Sequence, residues 1–92
     1  MILTLEEARA ALRLDGTDND EIIISLLEAV PDYITLTTGI EPDAMASIPL
    51  AKAAARFLLM LWYNAEQSDA ERLQRTIDSL LKALSLLEKR GQ

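Results

Sequence analysis

The sequence predicts an all-α fold, a compact bundle of four helices with a kinked second helix and a long C-terminal one. Three observations carry that reading. Half of the residues are apolar, yet only Tyr33, Phe57, Trp62 and Tyr63 are aromatic. The interior must therefore be filled by Leu, Ile and Ala, as in helix-on-helix packing and unlike a sandwich or barrel. Apolar residues recur with a helical period in each segment. Two capping boxes, Thr4 to Glu7 and Ser68 to Glu71, mark helix starts. With 92 residues the chain has room for one core, so residues 1–92 read as a single domain.

The first helix opens at Thr4-Leu5-Glu6-Glu7, with Leu3 and Ala8 placed as a hydrophobic staple. It is expected to run to about Leu14, with Leu5, Ala8, Ala11 and Leu12 inward, and to stop at Asp15-Gly16. An acidic loop follows, in which Asp18 or Asn19 supplies the cap of the second helix. Glu21, Ser25, Glu28, Asp32 and Thr35 form a polar stripe on that helix, opposite Ile23, Leu26, Leu27, Val30, Tyr33, Ile34 and Thr37. Pro31 deletes one backbone hydrogen bond, to the Leu27 carbonyl, which points to a single kinked helix. Gly39 ends it.

Residues 40–48 read as a loop, and Pro49 suits the first turn of a third helix reaching about Ala65. This helix is apolar nearly all round, as a central one should be. The fourth runs to about Lys89, with Leu73, Ile77, Leu80, Leu84 and Leu87 on its apolar side and Arg75, Lys82 and Lys89 on its outermost face. Two heptads are too few to define a coiled coil. The expected core places Leu58, Leu61 and Trp62 among Leu12, Leu26 and Leu80.

Composition narrows the function. The chain has no Cys and no His, which removes disulfides, thiol nucleophiles, thiolate zinc sites and the commonest general base. A net charge of −6 argues against a dedicated nucleic-acid binder, since phosphates call for Lys and Arg. The charge is uneven: residues 1–46 hold ten acids against Arg9 and Arg13, a balance of −8, and residues 47–92 hold five acids against seven bases, a balance of +2. No basic segment precedes an apolar run at the start, so no signal peptide is expected. The longest apolar stretch, Ile48 to Tyr63, contains Lys52 and Arg56 and falls short of the ~20 residues of a membrane span. No membrane association is expected.

Candidate sites have to be weighed against plainer roles. Asp15, Thr17 and Asn19 alternate as calcium ligands do, but the sixth position is Asp20 where that loop needs Gly, and the twelfth is Leu26 where it needs Glu. A solvated, helix-capping turn accounts for these residues better. Glu6, Glu7, Glu21 and Glu28 read as solvated helix faces, with nothing to predict a cleft. The glycines at 16, 39 and 91 are isolated and form no phosphate loop. No catalytic residue, cofactor site or metal site is therefore expected, and no enzyme. Trp62 and Tyr63 point ~100° apart on a helix, so one can serve the core while the other anchors a partner. The basic stripe is read first as a solvated face. Its match to the acidic half still singles out Glu21, Glu28 and Asp32 as contacts for Arg75 and Lys82 of a neighbouring copy, with Tyr63 and Leu86 as the apolar part.

The run LTLEEARAALRLDGTDNDE, then YITLTTG, then IPLAKAAARFLLMLWYNAE, resembles the small helical head–tail connector (adaptor, or head-completion) proteins of long-tailed phages. The likeness covers about residues 2–66. In that family a leucine-rich first helix leads through an acidic loop to a second helix ending in a Tyr-containing segment and Thr-Gly, and a third helix ends in an aromatic-Tyr pair. This chain departs from the family pattern in carrying Ala65 where a basic residue is common, and a long Leu-rich helix where a short closing segment is usual. The resemblance implies a non-catalytic viral structural protein of the head–tail junction, encoded by a phage or by a prophage in its bacterial host. It implies a homo-oligomeric ring below the portal, bound to the portal protein and to a downstream tail or stopper protein. It also implies a channel through which packaged DNA passes without specific binding. The reading from a different class is a helical dimerisation module of a cytosolic regulator, joined through the Leu73 to Leu87 stripe.

Overall fold

The computed structural model describes residues 2–63 and 70–90. Five helices follow in order: α1 (Leu5–Leu12), α2 (Asp20–Thr38), α3 (Pro42–Met45), α4 (Pro49–Tyr63) and α5 (Ala70–Arg90). No strand occurs among the described residues, and the fold is all-α. The longer helices α2, α4 and α5 pack against one another, and α1 lies across α2 and α4.

α1 begins at the expected capping box. The Glu7 amide donates to Thr4 Oγ1, and the Thr4 amide donates back to Glu7 Oε1, both at 3.0 Å. Two otherwise unpaired donors of the first turn are satisfied in this way. Leu3 and Ala8 are both buried. The helix ends earlier than the sequence suggests. Arg13, not Asp15-Gly16, takes the left-handed conformation (φ 59°), and its amide and that of Leu14 close back on Ala10 and Arg9. Burial of Leu12 fixes where the chain must turn, and an arginine accepts an unfavourable φ there.

The Glu7 carboxylate is held below its ordinary range, first by the Thr4 amide and further by the Lys52 ammonium, 3.5 Å away on α4. A group whose folded pKa is depressed stabilises the fold above its unfolded pKa, and the effect disappears as pH falls through the folded value. The stability gap between the wild type and Glu7→Ala should therefore be wider at neutral pH than in strong acid. Urea midpoints of both proteins across that range check this. A gap that does not narrow in acid would show that the carboxylate charge is not its source.

α2 starts at Asn19, whose side chain makes no cap hydrogen bond. The side chain of Asp20 is used instead: Arg9 Nε donates to Oδ1 at 3.0 Å and Arg9 Nη2 donates to Oδ2, a two-point clamp between α1 and α2. The helix runs unbroken through Pro31. Ile23, Leu27, Val30, Ile34 and Thr38 are its buried positions. Thr37, expected inward, is exposed. Thr38 is buried in its place, donating to the Ile34 carbonyl and accepting from the Ile40 amide. Gly39 ends the helix at φ 84°, a conformation that suits glycine, with its amide bonded to Thr35.

Two corrections arise in the middle of the chain. The loop expected over residues 40–48 contains α3, a single turn with Pro42 in its first positions, pinned by fully buried Met45. Four residues are too few for a period to show. The core of α4 is formed by Ala51, Ala54, Ala55, Leu58 and Leu59. Leu58 is buried as expected, but Leu61 and Trp62 are only partly so, as are Leu26 and Leu80. The buried positions of α4 all lie before its aromatic end. The expected continuation of this helix to Ala65 and the Ser68 to Glu71 capping box fall outside the described residues.

On α5 the buried positions are Ile77, Leu81 and Leu84. The expected stripe held two of these. Leu73 and Leu80 lie at its partly covered margin, and Leu87 is exposed. A seven-residue repeat drifts ~20° per heptad on a straight helix, so 73, 80 and 87 cannot all stay on the core line.

Candidate interaction surfaces

Burial of one side of α2 dictates what the other side offers. With Ile23, Leu27, Val30 and Ile34 inward, the helical period turns Glu21, Ser25, Glu28 and Asp32 fully outward, with Thr35 half-covered behind them. The three acids carry no ion pair among the described residues. Two large apolar side chains share this outward arc, Ile22 at 57% exposure and Leu36 at 86%. Leu36 stands between Thr35, whose hydroxyl donates to the Ile40 carbonyl at 2.8 Å, and Thr37. Where α2 gives way to α3, Asp32, Thr35, Leu36, Glu41 and Pro42 line an open groove of about 390 Å³.

α5 is the counterpart of opposite sign. With Ile77, Leu81 and Leu84 inward, residues Arg72, Arg75, Ser79, Lys82, Leu86 and Lys89 are all exposed, spaced three and four apart along one face. That line bears four cationic side chains and no acid. Neither Arg75 nor Lys82 is in an ion pair among the described residues. Leu86 is 54% exposed and Leu87 44%. The C-terminal end of α5 is held against that of α2 by the Ser85 hydroxyl, which donates to the Thr37 carbonyl at 3.3 Å, and by Glu88, whose Cγ lies alongside Gly39.

The aromatic pair at the end of α4 divides its tasks. Trp62 is half-buried and meets Tyr33 edge-on, with ring centroids 5.5 Å apart and planes at 83°. The Tyr63 hydroxyl accepts from Asn19 Nδ2 at 2.7 Å, tying the end of α4 to the start of α2. The structure thus brings Tyr63 to the acidic loop, puts Glu21, Glu28 and Asp32 on one face of α2, and puts Arg75, Lys82 and Leu86 on one face of α5. Ile22, Leu36 and the groove beside Leu36 are missing from the sequence reading. The available signal was an apolar residue repeated seven apart, at 22, 29 and 36, within the polar arc.

Among the described residues, no three acids cluster so as to hold a metal ion, and no helix is long and apolar enough to cross a membrane. The surfaces suit protein contact. A family model for phage gp6-like head-tail connector proteins matches residues 2–86. The chain belongs to that family. The connector match extends the likeness seen in the first three helical segments through most of α5, so the long C-terminal helix is part of the family domain. Neither the curated proteins nor the solved structures yield a match to this chain.

Proposed function

We propose that this connector is a structural ring component of the head–tail junction. Many copies close into a ring below the portal, extend the channel through which DNA passes, and seat a downstream tail or stopper protein. The observation that carries the reading is family membership over nearly the whole chain. A net charge of −6 supports it, because an acidic wall gives DNA little to hold as it slides past. So do two exposed helix faces of opposite sign on one chain, since a ring needs two different surfaces that meet head to tail. Glu21, Glu28 and Asp32 are assigned to one surface, Arg75, Lys82 and Leu86 to the other, and Tyr63 to their margin. The reading places the protein in the virion, or in the bacterial cytoplasm before assembly, with no catalytic or cofactor chemistry.

The dimerisation-module alternative would need Leu73, Ile77, Leu80 and Leu84 at its contact. Ile77 and Leu84 are fully buried within the chain, so that contact would require the bundle to open. Electron microscopy of the purified protein, alone at high concentration and mixed with its portal, separates the two. Cyclic rings of many copies are expected. A closed two-fold dimer with no larger species under either condition would overturn the ring.

A further inference from the structure

We infer that the C-terminal end of α5 of one copy docks into the groove beside Leu36 of the next, making this the primary contact of the ring. The inference rests on the ring reading above and goes beyond it by naming the two patches that meet.

The groove is lined by both apolar and acidic residues. Leu36 and Pro42 supply the apolar surface, and Asp32 and Glu41 the carboxylates. Leu36, at 86% exposure, is the most exposed large apolar side chain among the described residues. The end of α5 has the inverse pattern, with exposed Leu86 set between Lys82 and Lys89 on the same face. Spacings of four and three put these residues within one and two turns of each other, so a single helix end presents one leucine flanked by two ammonium groups. A leucine entering the groove would bring those cations to Asp32 and Glu41.

Within one chain the two patches are not joined by charge: neither Lys82 nor Lys89 forms an ion pair with Asp32 or Glu41 among the described residues. α2 and α5 touch through Thr37 and Ser85. Leu36 precedes the first by one residue and Leu86 follows the second by one. Both leucines remain exposed, Leu36 at 86% and Leu86 at 54%. A second copy is the occupant that carries both the leucine and the matching charges. Apolar contact supplies the attraction and the charges set the orientation. The patch is small, which makes the pairwise contact weak and leaves ring closure to the cooperation of many copies.

The native chain has no cysteine, so single-cysteine probes report cleanly. Leu36→Cys and Leu86→Cys, both at exposed positions, are prepared separately, one with a size tag, and mixed under mild oxidation at the concentration used for microscopy. The expected product is the mixed Leu36→Cys/Leu86→Cys disulfide dimer, several-fold above either homodimer. Adding Lys89→Glu to the Leu86→Cys protein should cut its yield several-fold, and adding Glu41→Lys to the other protein should restore it. A mixed dimer no more abundant than the homodimers, or one indifferent to charge reversal, would overturn the contact. Rings in the microscope without the mixed dimer would remove this contact and leave the connector reading standing. The mixed dimer without rings would keep the contact while the ring itself fell.

Discussion

Replacing Leu58 with Ala is expected to destabilise the domain by about 2–5 kcal/mol, the usual range for deleting a fully buried leucine. Leu58 is 1% exposed and sits on α4, the helix that packs against α2, α5 and α1 together. Its neighbours along the buried face are alanines and Leu59. The cost within that range depends on how far the surrounding side chains can close the cavity. Small domains are stable by about 5–15 kcal/mol in total, so the loss is a large share of the whole and the variant should melt well below the wild type. Leu61→Ala provides the internal control. Leu61 is only partly buried, so its truncation should cost clearly less, about 1–2 kcal/mol. Urea unfolding of the two variants side by side reads the difference. Equal losses, or a larger loss for Leu61, would mean that the bundle is centred nearer the end of α4 than the structure places it.

That contrast marks where sequence reasoning reaches its limit. The capping box at Thr4, the stop at Gly39 and the polar stripe of α2 were legible because each depends on residues within one or two turns. The inward choice between Thr37 and Thr38, between Leu80 and Leu81, and between Leu59 and Leu61 was not. Each pair lies near the edge of an apolar arc, and which member turns inward depends on the neighbouring helix, a long-range fact. α3 escaped notice because one turn carries no period, and it is the burial of Met45 that fixes it. The acidic and basic faces could be read from spacing and charge. The groove beside Leu36 could not, because it arises where α2 meets the start of α3, and Glu41 and Pro42 complete it only after the chain has turned at Gly39.

Pro31→Ala should make the protein more stable. In a helix interior, proline costs about 3 kcal/mol, through a missing amide hydrogen bond and a clash with the preceding turn. Here α2 continues through Pro31 regardless, so the surrounding contacts sustain the cost. Alanine would restore the donor to the Leu27 carbonyl. Two effects oppose the gain. Proline restricts the unfolded chain, worth about 0.4–1 kcal/mol, and its ring forms part of the wall of a hollow shared with Ile2, Pro42, Asp43 and Ala46. A net gain of about 1–2 kcal/mol remains, visible as a higher urea midpoint at unchanged slope. A lower midpoint would show that the ring's packing outweighs the lost hydrogen bond. The assembly measurement then decides what the proline is for. Pro31 immediately precedes Asp32 and lies on the same helix as Glu21, Glu28 and Leu36, which belong to the face proposed to meet the next copy. A variant that is more stable as a monomer yet closes fewer rings would show stability given up for assembly, a trade that natural proteins make where function requires it.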